Sequence, residues 1–163
     1  MDNDKDYSRL SWDEYFIKLV DFIGARGTCD RGRSGAVIVK DKRILSTGYV
    51  GSPAGIPHCD QVGHEMQTVT DESGHDSRHC VRTAHAEQNA INNAARIGVS
   101  IFGGTIYCKM TPCYKCAQSI INCGIVRVVA LKDYHGGERT KDIFKQAGVE
   151  LLILGDMETY KDM

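Results

Sequence analysis

The chain has 163 residues, of which 42% are hydrophobic and 25% charged, with a formal net charge of −1. This length suits one α/β domain with a hydrophobic core, so we expect a single domain over residues 1–163. The lack of a basic excess argues against a nucleic-acid polymer as partner, and no apolar run reaches the roughly 18 residues of a membrane span. Residues 1–8 are polar and unlike a secretory signal, which favours a cytoplasmic protein.

Hydrophobic spacing predicts an alternation of helices and strands. Ser11 and Glu14 form a capping-box pattern, and apolar residues at helical spacing then continue to Gly24. Two β-rich runs, 36–39 and 44–49, follow and indicate a hairpin. Beyond residue 83 the pattern predicts, in turn, a helix over 84–97, a strand over 105–110, a helix over 113–123, a strand over 125–131, a helix over 138–147 and a strand over 149–154.

The last two strands enclose a helix, and such a crossover connection makes them parallel. We therefore expect an α/β fold with three layers, in which a five-stranded mixed sheet lies between helices on both faces. Residues 51–83 interrupt the alternation, because they lack periodicity and are rich in Gly, Pro, Asp and Ser. We expect a long functional loop there without regular structure.

Two short motifs point to metal chemistry. His85-Ala86-Glu87 begins one predicted helix, and Pro112-Cys113-Tyr114-Lys115-Cys116 begins another. Two cysteines three residues apart on a helix and a histidine from a second helix can hold zinc with three ligands. The fourth position is then left for water. We therefore predict that His85, Cys113 and Cys116 bind a catalytic Zn²⁺.

Glu87 is placed to act beside such a metal. Zinc lowers the pKa of a bound water from about 15.7 towards about 7, and a carboxylate two residues after the histidine can carry the proton. H-x-E followed by P-C-x-x-C is the signature of zinc-dependent nucleobase deaminases. We therefore predict Glu87 as the general acid and base. A structural zinc site or buried cysteines would be the alternative, but a structural site normally has a fourth protein ligand.

The wider sequence resembles the deoxycytidylate deaminases over about residues 10–155. The resemblance lies in C-V-R-T-A-H-A-E-Q-N-A-I at 80–91, in G-Y-V-G-S-P-A-G at 48–55 and in H-C-D at 58–60. It implies a cytidine-deaminase-like fold, hydrolysis of dCMP to dUMP and ammonia, and a homo-hexamer. It also implies activation by dCTP with Mg²⁺ and inhibition by dTTP at an allosteric site.

One position departs from the family pattern. The family usually has Tyr-Asn-Gly where this chain has Tyr49, Val50 and Gly51. The asparagine side chain typically serves nucleotide binding near the sugar, and valine can neither donate nor accept that hydrogen bond. We therefore expect sugar selection or the effector response to differ here, with Tyr49 and Gly51 still beside the nucleotide.

Four arginines are candidates for binding the nucleotide or effector. Arg26, Arg31 and Arg33 flank the first predicted strand, and guanidinium groups bind phosphate in a bidentate way. The alternative is a solvated charged loop. The resemblance places Arg96 near the substrate or a subunit contact, and the alternative is a cation that stabilises the helix C-terminus.

The seven cysteines favour metal binding over disulfides in a cytoplasmic protein. The resemblance implies a second, structural zinc in some family members, held by cysteines that match Cys29 and Cys59. The spacing does not decide which of His79, Cys80 and His64 supply the further ligands. Alternatively these side chains are buried or face solvent without a metal, as expected for Cys108 and Cys123 in the core.

Two other classes of function remain as alternatives. One is a deaminase of another base, such as guanine or an adenosine in tRNA, although the near-neutral charge argues against tRNA. The other is a non-catalytic, zinc-containing protein that binds nucleotides. The presence of Glu87 argues against this second alternative, because a binding protein needs no proton carrier.

Overall fold

The computed structural model describes residues 8–70, 74–134, 137–155 and 157–158. Residues 1–7, on which the prediction about a secretory signal mainly rests, lie outside this part. No helix within it is both long and apolar enough to cross a membrane. The elements in chain order are α1 (Trp12–Gly24), β1 (Gly35–Lys40), β2 (Arg43–Tyr49), α2 (Cys59–Val62), β3 (Met66–Thr70), β4 (Asp76–Cys80), α3 (Ala86–Ile97), β5 (Thr105–Met110), α4 (Tyr114–Asn122), β6 (Arg127–Tyr134), α5 (Glu138–Ala147), β7 (Glu150–Ile153) and β8 (Met157–Glu158).

The central sheet has the strand order β2-β1-β5-β6-β7. β1 pairs antiparallel with β2 and with β5, whereas β5, β6 and β7 are parallel to one another. The predicted five-stranded mixed sheet is therefore confirmed, as is the parallel pairing of β6 and β7. The sequence did not predict β8, whose two residues pair with the end of β6.

Helices cover both faces of this sheet, because its central strands are apolar on both sides. In β1, Ala36 and Ile38 belong to the core cluster beneath α3, α4 and α5. Val37 and Val39 point to the opposite face and pack with Phe16 and other residues of α1. Side chains alternate along a strand, so β1 supplies both cores. The predicted three-layer α/β/α arrangement is confirmed.

Close contact between β2 and α3 fixes the start of α3, where two of the predicted site residues lie. A Cβ atom on Gly48 would come within 2.3 Å of the Ala86 carbonyl oxygen and of the Ala90 nitrogen, so only glycine fits there. The Ser46 hydroxyl donates to the Ala90 carbonyl at 2.7 Å, and the Asn89 amide donates to the Tyr49 carbonyl at 2.8 Å. The helix backbone is therefore held directly against the strand.

Residues 51–83 contain regular structure, so the prediction of a structureless loop is wrong. The short helix α2 and the hairpin of β3 and β4 lie within this segment. Every residue of both strands is exposed or half-buried. The hairpin therefore lacks the apolar alternation by which a strand is recognised from sequence.

A bidentate ion pair ties the start of α1 to β6. The two terminal nitrogens of Arg127 donate to the two carboxylate oxygens of Asp13 at 2.8 and 2.9 Å. The Tyr107 hydroxyl donates to the same carboxylate at 2.7 Å. These contacts, chiefly the hydrogen bond from Arg127, lower the pKa of Asp13 below its ordinary value. A carboxyl group whose pKa is lower in the folded than in the unfolded protein stabilises the fold at pH values above its ordinary pKa. This contribution is lost as the pH falls through the lowered pKa.

We expect Asp13→Asn to lower the free energy of unfolding by about 2 kcal/mol at pH 7, the scale of a hydrogen bond to a charged group. Urea denaturation at pH 7 and pH 3 measures this, and the difference from the wild type should shrink at pH 3, because Asp13 in the unfolded chain, with its ordinary pKa of 3.8, then binds a proton. Asp21→Asn, an exposed carboxylate on the same helix, is the matched control and should stay within about 0.5 kcal/mol of the wild type. An equal loss at both pH values would contradict the ionic contribution.

Candidate active site

Two helix N-termini bring the predicted catalytic zinc ligands together. His85 is the N-cap residue of α3 and Cys113 the N-cap residue of α4, both with extended backbone, and Cys116 lies in the first turn of α4. The predicted helices over 84–97 and 113–123 therefore begin slightly later, because both residues stay extended to turn their side chains towards each other. The Nδ1 atom of His85 is 3.5 Å from each cysteine Sγ.

These distances fit a tetrahedral zinc ion. With Zn–S near about 2.3 Å and Zn–N near about 2.0 Å, tetrahedral angles place sulfur and nitrogen donors about 3.5 Å apart. All three ligand atoms lie within 4.8 Å of one another, with His85 exposed, Cys113 half-buried and Cys116 buried. No fourth protein donor belongs to this group among the described residues. The trio therefore suits a metal ion with one position open.

Local hydrogen bonds already favour the thiolate form at one ligand. The hydrogen bond from Cys116 lowers the pKa of Cys113 to about 4, with a smaller contribution from the hydrogen bond with His85, although burial opposes the shift. The hydrogen bond to Cys113 in turn raises the pKa of His85 to about 9. Thiolate is the form that binds metal, and metal binding competes with protons for these atoms. The pKa of Cys116 is raised, chiefly by its hydrogen bond with Cys113 and also by burial, so a metal ion would have to replace the protons on His85 and Cys116.

Glu87 lies beside this trio and is buried, with 8% of its surface exposed. One of its carboxylate oxygens is 4.0 Å from the Cys116 Sγ. Burial raises the pKa of Glu87, while the charge of His85 opposes the shift. A carboxyl group with a raised pKa can both accept and return a proton near neutral pH, which is the property required of a general acid and base.

A second group of metal-binding side chains lies around the start of β1 and the end of β4. Cys29, Cys59, His64 and Cys80 place one ligand atom each within 4.8 Å of the others. The Cys29 Sγ is 3.6 Å from the His64 Nδ1, and the sulfur atoms of Cys59 and Cys80 are 3.5 Å apart. We call these four residues the Cys3His cluster. Four donors at these spacings fit a closed, structural zinc site.

Two further contacts define this cluster. The Nε2 atom of His64 is 2.9 Å from the Asp30 carboxylate, which leaves Nδ1 facing the sulfur atoms. His79, the other histidine considered from the sequence, is not among the four donors, and its Nε2 is 2.8 Å from the Ser77 hydroxyl. The structure therefore brings His64 to the cysteines and places His79 elsewhere.

A cavity of about 180 Å³ is lined by Glu87 and by His85 and Cys113, two of the three candidate zinc ligands. It extends to the Cys3His cluster, since Cys29 and Cys80 also line it. Its remaining wall is formed by Arg31, Gly32, Ser34, Val50, Ser77, Arg78, His79, Thr83, Ala86, Met110, Thr111 and Tyr134. The cavity therefore joins both candidate metal sites to one hairpin and to the ends of β5 and β6.

Only some of the predicted nucleotide-binding residues reach this cavity. Arg31 lines it. The side chains of Arg26, Arg33, Arg96 and Tyr49 are exposed at other places, and Gly51 pairs its backbone with Ala84, next to His85. Val50, the departure from the family pattern, is buried against Cys29 and Cys59 and also faces the cavity. It therefore provides an apolar wall where the family has a polar amide.

Sequence reasoning missed several residues of the cavity wall, among them Ser77, Arg78, Thr83 and Tyr134. The hairpin residues carried no signal, because the hairpin itself was not predicted. Tyr134 ends β6, and the carboxyl ends of parallel strands are where such folds place their ligands. That rule identifies Tyr134 as a candidate once the strand order is known.

Comparison with known proteins agrees with this geometry. The family model of the cytidine and deoxycytidylate deaminase zinc-binding region matches residues 10–132. ComE operon protein 2 of Bacillus subtilis (strain 168) is 41% identical over 141 residues, covering 86% of this chain and 70% of that protein. The deoxycytidylate deaminase of Mycobacterium phage D29 is 39% identical over 130 residues, covering 77% of this chain and 98% of that enzyme.

Solved structures agree in fold. The crystal structure of dCMP deaminase from cyanophage S-TIM5 in complex with dCMP and dUMP superposes with a TM-score of 0.69 and 26% identity. The match covers 90% of this chain and 99% of that one. A tRNA:A34 deaminase, with a TM-score of 0.55 and 19% identity, shares the fold alone. The chain is therefore a deaminase and belongs to the cytidine and deoxycytidylate deaminase family.

Proposed function

We propose that this chain hydrolyses dCMP to dUMP and ammonia. The observation that carries the proposal is the trio of His85, Cys113 and Cys116, with one coordination position open, beside the buried carboxyl group of Glu87. The named relatives support the choice of dCMP, because the phage D29 relative is a deoxycytidylate deaminase and the S-TIM5 structure contains dCMP and dUMP.

The chemistry divides between metal and protein. When bound by the trio, zinc would supply the Lewis acidity that makes water a nucleophile at neutral pH. Glu87 accepts the proton from that water at a carboxylate oxygen and delivers it to the ring nitrogen of cytosine. The amine-bearing carbon gains the hydroxyl oxygen of the water, Glu87 carries the remaining proton of that hydroxyl to the amino group, and the carbon–nitrogen bond breaks to release ammonia. Glu87 is buried, with 8% of its surface exposed, which limits exchange of its proton with bulk water.

Ammonia release over a panel of dCMP, dCTP, CMP, cytidine and guanine tests the proposal. We expect the highest kcat/KM for dCMP, because the cavity wall offers cationic and hydroxyl groups to a phosphate in addition to the base. Cytidine, which lacks the phosphate, should be at least about tenfold poorer, the scale of one lost charged hydrogen bond. Preference for guanine, or no turnover of any substrate by the zinc-loaded protein, would overturn the assignment.

We further propose that the family's regulation applies to this chain: a homo-hexamer that is activated by dCTP with Mg²⁺ and inhibited by dTTP. Arg26, Arg33, Arg96, Tyr49 and Gly51 remain the candidates for effector or subunit contacts. The exposure of the three arginines agrees with such a role. Repeating the substrate panel with dCTP and dTTP present tests the regulation. A cytoplasmic location also remains a prediction from the sequence.

We propose in addition that the Cys3His cluster holds a second, structural zinc. The arrangement of its four donors and the Asp30 contact to His64 support this. Burial raises the pKa of Cys59 to about 12, which disfavours the thiolate without a cation. Zinc binding would offset that cost by replacing the proton with a metal. Metal analysis should therefore find two zinc ions per chain.

A further inference from the structure

A half-buried carboxylate lies next to the cavity wall, at the ends of β5 and β6. Asp133 is the last residue but one of β6, and 13% of its side chain is exposed. It does not line the cavity itself, whereas Thr111 and Tyr134 do. Thr111 follows β5 directly, and the parallel pairing of β5 with β6 brings it beside Asp133. The carboxylate is therefore adjacent to two residues of the wall.

Both of these wall residues donate a hydrogen bond to the same oxygen atom of Asp133. The Thr111 hydroxyl donates to Oδ1 at 2.9 Å, and the backbone nitrogen of Tyr134 donates to it at 2.8 Å. Thr111 is buried, with 3% of its surface exposed, so leaving its hydroxyl without an acceptor would be costly. Two residues after Thr111 comes Cys113, a candidate zinc ligand. Oδ1 thus joins the end of β6 to the segment that leads to the metal site.

The other oxygen atom of Asp133 takes part in an ion pair with α5. The Lys141 ammonium donates to Oδ2 at 2.7 Å and to the exposed Glu138 carboxylate at 2.8 Å. An asparagine in place of Asp133 would still offer an amide oxygen to the two wall residues, but its amide nitrogen cannot accept a hydrogen bond from lysine. The contacts of Oδ1 and those of Oδ2 can therefore be removed separately by substitution.

We propose that Asp133 is a positioning residue of the deaminase, which acts through Oδ1 by holding Thr111 and Tyr134 in the cavity wall. This inference rests on the proposed deamination of dCMP in the same cavity. Asp133 itself does not touch the substrate. A misplacement of about 1 Å by a change away from the chemistry can cost about a hundredfold. Loss of Oδ1 should therefore weaken nucleotide binding, whereas loss of the ion pair with Lys141 alone should not.

Asp133→Ala, Asp133→Asn and Lys141→Met test this division. Asp133→Ala should raise the KM for dCMP and the calorimetric Kd for dUMP by about 10-fold to 100-fold, with kcat within about threefold of the wild type. Asp133→Asn and Lys141→Met should keep both constants within about threefold, because each leaves an acceptor oxygen for the two wall residues. Asp142→Ala is the matched control, since Asp142 is an exposed carboxylate on α5 outside the cavity. Each protein is assayed below its own melting temperature.

The possible outcomes separate this inference from the function on which it rests. If the wild type neither deaminates dCMP nor binds dUMP, the proposed function itself fails. If the wild type does both, but Asp133→Ala keeps its KM and Kd, only the positioning role is wrong. Losses as large in Asp133→Asn as in Asp133→Ala would assign the effect to the charge and overturn the inference. Loss of zinc in Asp133→Ala would also overturn it, because the carboxylate would then maintain the metal site.

A second pair of variants decides the matter if Asp133→Ala does not fold. Thr111→Val lacks the hydroxyl that donates to Asp133, whereas Thr111→Ser keeps it. Thr111→Val should bind dUMP at least about threefold more weakly than Thr111→Ser, the scale of one hydrogen bond. Equal affinities of the two variants for dUMP would overturn the inference.

Discussion

Glu87→Gln should lower the rate of dCMP deamination at least about a hundredfold, while the protein keeps its zinc. General acid and base residues typically contribute about 10²-fold to 10⁴-fold. Glutamine has nearly the same shape as glutamate, so the buried site should stay packed, but its amide cannot accept and return a proton. Burial raises the pKa of Glu87, so this carboxyl group holds a proton more readily than an exposed one, whereas the amide cannot carry one.

Stopped assays of ammonia release, together with metal analysis of the same preparation, check this result. Asn92→Ala provides the matched control, because Asn92 lies exposed on the same helix and outside the cavity. It should keep the wild-type rate. Wild-type activity in Glu87→Gln would remove the proposed proton transfer. Loss of zinc in that variant would mean instead that Glu87 maintains the metal site.

Cys116→Ala and Cys59→Ala should each remove one of two zinc ions, with very different effects on the rate. Cys116 belongs to the catalytic trio and Cys59 to the Cys3His cluster. Lewis-acid activation is worth several kcal/mol, and each 1.4 kcal/mol or so is a factor of ten in rate, so Cys116→Ala should lose at least about a thousandfold. Cys59→Ala should lose less activity, because the catalytic trio remains and only the cluster that holds the β3–β4 hairpin is disrupted.

Zinc per chain, rate and thermal stability should be measured on both variants. Lys115→Ala is the control for the trio, since Lys115 lies exposed between its two cysteines and should keep both zinc ions. We expect the larger drop in melting temperature for Cys59→Ala, because the hairpin has no core of its own. One zinc per chain in the wild type, or unchanged zinc in Cys59→Ala, would contradict the structural site.

The sequence predicted the catalytic trio, because its signal is local and chemically specific. Histidine and cysteine at these spacings bind metals, and each motif adjoins the start of a helix with a strong apolar pattern. The order of helices and strands then required β6 and β7 to be parallel, which the structure confirms. Such features are determined by short-range sequence patterns, so contacts between distant residues are not needed to predict them.

The ligands of the second site could not be chosen from sequence. Its donors at 29, 59, 64 and 80 come from separate segments, so their distances depend on the folded chain. The formation of the hairpin determined which side chains join the cysteines, because neighbouring strand residues point to opposite sides. Cys80 lies 3.5 Å from Cys59, whereas the His79 Nε2 lies 2.8 Å from the Ser77 hydroxyl and outside the four donors.

The sequence by itself therefore determined the family and the layered α/β fold, and it predicted the zinc ligands and the proton carrier. Tertiary structure alone decided which of the predicted arginines reaches the cavity, which histidine joins the cysteines and that β4 lines the cavity. The physical reason is the absence of a buried apolar face on β3 and β4. Without it the hairpin has no periodic signal, and its position is set by side-chain contacts between segments far apart in the chain.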